Sequence, residues 1–152
     1  MDMRDRLNQA QKTAMKEKAV DRLSTLRLIN AAIKDRDIAA RSDGEEASVS
    51  DAEILAILGK MMKQRQESAR AYEEGGRLEL AEKELAEVAV IEEFLPRQLS
   101  EKETEKAVVA AISEVGASSI RDIGKVMGVL KSRHAGQMDF GKVGTMVKAR
   151  LG

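Results

Sequence analysis

Residues 50–76 read SDAEILAILGKMMKQRQESARAYEEGG, and both ends of a helix are written into that stretch. Ser50 and Glu53 form a capping-box pattern, in which serine and glutamate satisfy each other's free backbone amides. Ile54, Ile57, Leu58, Met61, Arg65, Ala69 and Tyr72 then recur at a period near 3.6, the mark of one inward helix face. Gly75-Gly76 stops the pattern. The same period runs through almost the whole chain, and nothing reads as a strand. The expected fold class is all-α.

Toward the N-terminus, Met3, Leu7, Ala10 and Ala14 predict a first helix that fades near Lys18. Asp21 is expected to cap a second, whose face runs Leu23, Leu26, Ile29 and Ile33. That helix should dissolve in the polar stretch Ser42-Asp43-Gly44-Glu45-Glu46. In the other direction, Leu78, Ala81, Leu85, Val88 and Ile91 predict a fourth helix, halted at Phe94-Leu95-Pro96. Pro96, the only proline, drives Leu95 out of helical geometry, and Ser100-Glu101-Lys102-Glu103 behind it is a second capping box. The main boundary falls here. It leaves an N-terminal four-helix part, residues 1–96, and a small C-terminal three-helix domain, residues 97–152. In the latter Val108, Ile112 and Val115 should face inward on a helix ended by Gly116. Ile120, Ile123, Met127 and Leu130 should do so on the next, and Phe140, Val143, Val147 and Leu151 on the last.

Composition removes several function classes. The chain has 152 residues, no Cys, one His and three aromatics, Tyr72, Phe94 and Phe140. Without Cys there are no disulfides, zinc ribbons, iron–sulfur sites or thiol nucleophiles. A lone His134 leaves no His-pair metal site, and three aromatics argue against single-strand binding on stacked platforms. No metal and no cofactor is expected. No apolar run approaches the roughly 18–20 residues of a membrane span, and the mixed-charge N-terminus has no signal-peptide core, so a cytoplasmic protein with no membrane contact is expected.

Charge is balanced overall, with 26 Lys+Arg against 26 Asp+Glu, but it is unevenly placed. Residues 1–41 carry +4, residues 42–96 carry −8 and residues 97–152 carry +4. From Val115 onward seven bases face two acids, Asp122 and Asp139. A basic tail of this kind permits a nucleic-acid face that the net charge conceals.

Four motifs bear on chemistry. Gly136-Gln-Met-Asp-Phe-Gly141-Lys142-Val143 matches a phosphate loop except that Val143 replaces the Mg²⁺-holding Ser/Thr; with no strand before it, it reads as a helix–helix turn. Gly124 and Gly128 stand four apart inside a helical pattern, where glycine is costly. They point to close approach of another surface, a neighbouring helix before an RNA backbone. Glu73, Glu74, Glu79, Glu82, Glu84 and Glu87 have the spacing of a solvated face rather than of a catalytic pair, whereas Arg65 falls on the apolar stripe and needs a buried partner, one of those glutamates. His134, in a basic turn, is expected to be exposed.

Taken together, Thr25-Leu-Arg-Leu-Ile-Asn-Ala-Ala-Ile-Lys34, Lys63-Gln-Arg-Gln-Glu-Ser68, Gly76-Arg77 through Glu84, Glu93-Phe-Leu-Pro-Arg-Gln-Leu-Ser100 and Asp122-Ile-Gly-Lys-Val-Met-Gly128 closely resemble the YqeY-like (GatB/YqeY domain) family, in order and over nearly the full length. From about residue 97 the tail also resembles the C-terminal domain of the B subunit of tRNA-dependent amidotransferases. The resemblance implies tRNA handling and, at family level, glutamine-dependent carbon–nitrogen ligase activity.

The expectation is a tRNA-binding accessory protein that is not catalytic alone, with no catalytic residues of its own. Lys125, Lys131, Arg133, Lys142, Lys148 and Arg150 should contact phosphates, shape rather than base identity selecting the RNA. Two alternatives stand beside it: carbon–nitrogen ligase (amidotransferase) activity on aminoacyl-tRNA within a complex, and a protein-interaction module for a tRNA-handling enzyme.

Overall fold

The computed structural model describes residues 2–42 and 49–152. Among them the regular structure is helical: α1 (Met3–Lys16), α2 (Val20–Ser42), α3 (Asp51–Glu74), α4 (Leu78–Glu92), α5 (Glu101–Val115), α6 (Ile123–Arg133) and α7 (Phe140–Leu151), with a single 3-10 turn at Ile120–Asp122. No strand occurs among the described residues. No helix among them is long and apolar enough to cross a membrane. The chain divides into two compact units, Met1–Leu95 and Pro96–Gly152.

In the first unit the core is made where the 3.6-residue stripes meet. Leu7 of α1, Leu26 and Ile29 of α2, Ile54 and Leu58 of α3 and Ile91 of α4 are fully buried together. Each such side chain contributes about 1.5–3 kcal/mol by leaving water. Helix α3 starts at the Ser50–Glu53 capping box and ends at Gly75, with Gly76 in the left-handed region at φ +73°. The Arg77 amide returns to the Tyr72 carbonyl at 2.8 Å, which folds α4 back against α3.

Two expectations here are corrected. Asp21 does not cap α2: the helix begins at Val20, and Asp21 lies in its first turn, where its charge still suits the helix dipole. On α4 only Ala81, Val88 and Ile91 of the expected stripe are buried, while Leu78 is 62% and Leu85 45% exposed. The two leucines lie seven residues apart, two turns along a side of α4 left largely exposed among the described residues. The expected dissolution of α2 over Asp43–Glu46 lies outside the described residues.

The second unit closes around Val108, Ala111, Val126, Leu130, Val143 and Val147. Ser100 and Glu103 form the capping box that starts α5, and Gly116, at φ +69°, ends it. Val126 and Ala111 were absent from the expected inward stripe. Ile120, which was on it, is 50% exposed because it sits in the 3-10 turn, out of phase with α6.

Candidate nucleic-acid interface

Helix α6 is built with one face in the core and one face bare. Val126 and Leu130 point inward, while Gly124, Lys125, Gly128 and Lys131 are exposed. Positions 124, 128 and 131 follow the four- and three-residue spacing of adjacent turns, and Lys125 lies three before Gly128. Beyond its chain neighbours and the helix's own backbone, a Cβ built on Gly124 or on Gly128 would meet no described atom within 4 Å. The favoured expectation, that these glycines admit a neighbouring helix, is therefore corrected: the backbone there faces open space.

The entry to this helix is held by Asp122. Its Oδ2 accepts from the Ser118 amide at 3.0 Å and from the Ser119 amide at 3.4 Å. Those amides, and the nearby charge of Lys125, hold the carboxyl below its ordinary value. Sequence reasoning missed this role, although the spacing Ser119-Ile-Arg-Asp122 carries the signal.

The six predicted phosphate contacts divide. Arg133 is engaged by Glu114 in an ion pair that holds the glutamate low and raises the guanidinium. Arg150 reaches Glu105 at 3.5 Å. Lys125, Lys131, Lys142 and Lys148 are exposed and form no ion pair among the described residues. Lys142 borders a cavity of about 500 Å³ whose wall also carries Glu101, Glu105 and Asp139, so acids outnumber it there. Lys125 and Lys131 are the pair that shares the bare glycine face.

The phosphate-loop-like string is a turn followed by a helix start. Asp139 caps α7, its Oδ1 accepting from the Gly141 amide at 3.0 Å and the Lys142 amide at 3.4 Å. A carboxylate thus occupies the amides that a phosphate would need. His134 is half-buried rather than exposed, its Nδ1 lying 3.2 Å from Gln137 Oε1. The segment around it is latched to the start of the unit: the Leu99 amide donates to the Gln137 carbonyl at 2.9 Å, and Gln137 Nε2 donates to the Arg97 carbonyl at 3.1 Å.

Arg65 also departs from expectation. None of those six glutamates pairs with it; Nη1 donates to the Met61 carbonyl at 3.3 Å, and Nε is buried without a hydrogen-bond partner among the described residues. Glu73, Glu74, Glu79 and Glu82 are exposed as a solvated face should be, whereas Glu84 and Glu87 are half-buried. Among the described residues no group of three or more His, Asp or Glu side chains is placed to hold a metal ion.

Against known families, the model described as Yqey-like protein matches residues 4–151. No curated protein matches the chain.

Proposed function

The chain belongs to the Yqey-like protein family, and on that premise we propose that it is a tRNA-binding accessory protein whose unit Pro96–Gly152 meets the RNA through α6. The observation that carries this reading is the bare face of Gly124 and Gly128 with Lys125 and Lys131 beside it. Two residues without side chains let a sugar–phosphate strand lie close to the helix. Two exposed lysines that form no ion pair among the described residues supply the charge that a phosphate needs. Aromatics to stack on unpaired bases are scarce, so recognition rests on backbone shape and charge. The tail's resemblance to the C-terminal domain of an amidotransferase B subunit supports tRNA as the RNA.

Titrating a tRNA transcript against the protein over a salt series tests this. Binding tighter than the generic 10⁻⁴–10⁻⁶ M range at physiological salt is expected. Neutralising both Lys125 and Lys131 to Gln should weaken it and flatten the log K against log salt slope by about 1.5–2. Generic affinity that the double variant leaves unchanged overturns the reading.

A further inference from the structure

The hairpin of α3 and α4 holds a cleft of about 400 Å³, inside the roughly 300–1,000 Å³ range of small-ligand sites. Arg65, Ser68 and Tyr72 line it from α3, and Leu80, Glu84 and Glu87 from α4. Each set follows three- and four-residue steps, so each comes from adjacent turns of one helix face. Lys83 adds a second cation at the wall.

The charges in this cleft are unusual in what they leave undone. Arg65 and Lys83 share a small space with Glu84 and Glu87, yet none of the four has an ion-pair partner among the described residues. Arg65 commits Nη1 to the Met61 carbonyl, and its buried Nε donates to nothing. Glu84 and Glu87 are half-buried, where an uncompensated carboxylate is unfavourable. Two cations and two carboxylates left unpaired around one cleft suit a partner that carries both signs.

A simple anion on Arg65 would face two glutamates. A simple cation on those glutamates would face Arg65 and Lys83. We propose that the cleft binds a zwitterion, an α-amino acid with an apolar side chain. Its carboxylate lies toward Arg65 and Lys83, its ammonium toward Glu84 and Glu87, and its side chain along Leu80 and the Tyr72 ring. The site lies in the unit Met1–Leu95, away from α6 in sequence and in unit, so it stands or falls independently of RNA binding.

Tyr72 is the only tyrosine and the chain has no Trp, so intrinsic tyrosine emission reports directly on the cleft. The full-length protein is titrated with L-leucine, with isocaproate (its carboxylate half) and with isoamylamine (its ammonium half), each up to about 10 mM. A saturable change with L-leucine is expected, with each half-molecule binding about tenfold or more weakly because one charged contact is lost. Lys83→Met and Glu84→Gln, each with a circular dichroism spectrum matching the parent, should each weaken L-leucine severalfold. Isocaproate or inorganic phosphate binding as tightly as L-leucine overturns the proposal in favour of a plain anion site. A flat L-leucine titration overturns it outright.

Discussion

Arg4 and Asp37 lie 33 positions apart in the chain and meet between α1 and α2, Nη2 to Oδ1 at 2.6 Å. The same carboxylate oxygen accepts from the amide of buried Val49 at 2.9 Å, so one side chain ties both helices to the lead-in of α3. The Arg4 hydrogen bond first, then the Val49 amide, holds the Asp37 carboxyl below its ordinary value. Asp37→Ala leaves the Val49 N–H unpaired and should cost about 1–3 kcal/mol in urea unfolding. Asp37→Asn keeps an acceptor there and should cost less. Equal losses in the two variants would mean that the charge, not the bond to Val49, matters.

Arg97 grips Glu103 with both guanidinium nitrogens, at 2.9 and 2.7 Å, while the Ser100 amide donates to the same carboxylate at 3.1 Å. These contacts, Arg97 foremost, bring the Glu103 carboxyl down to about 2 from an ordinary 4.5. The folded value lies below the unfolded one. The stabilisation is therefore complete above pH 4.5 and disappears as pH falls through about 2. Both side chains are exposed, so the effect should be modest and should shrink with added salt. Comparing acid unfolding of the parent and of Glu103→Gln by far-UV circular dichroism checks it: the variant's stability should vary less across that window.

How far the chain could be read from its letters depended on how local the cause was. The capping boxes at Ser50 and Ser100 and the glycine stops at Gly75 and Gly116 were legible because each is decided within four residues. The inward stripes were legible in period but not in phase. Leu78 and Leu85 fit an apolar period, yet only the neighbour on the other side decides which side is covered, and α3 covers the row of Ala81 and Val88. The candidate site was half legible. Lys125 and Lys131 followed from charge counting, but so did Arg133 and Arg150, whose acids Glu114 and Glu105 come from a different helix. Whether a helical glycine is packed or bare is likewise a tertiary fact.

That difference in phase has a direct thermodynamic reading. Leu130 is 1% exposed in the second core, and Leu78 is 62% exposed on α4, although both sit on apolar stripes. Leu130→Ala should cost about 2–5 kcal/mol, the lost burial plus the cavity left behind. Leu78→Ala truncates a mostly exposed side chain and should stay within about 0.5 kcal/mol. Urea unfolding midpoints for the two variants decide this, and similar losses in both would place Leu78 in a buried contact.

The glycines of α6 separate structure from function most sharply. Apart from chain neighbours and the helix's own backbone, no described atom lies within 4 Å of a Cβ built on Gly124 or Gly128, and both sit inside a helix where Ala is favoured. Gly124→Ala and Gly128→Ala should therefore each raise stability, by about 0.5–1 kcal/mol. Gly116→Ala should do the reverse, costing about 1–2 kcal/mol, because its left-handed φ of +69° crowds a Cβ. Two helix-destabilising glycines on this face gain nothing in packing, which is consistent with the RNA contact proposed above. In the tRNA titration the double variant Gly124→Ala, Gly128→Ala should bind more weakly despite a higher melting temperature, since two methyl groups lift the strand away from Lys125 and Lys131. Raised stability with unchanged affinity would show that the RNA, if it binds, lies elsewhere than on this face.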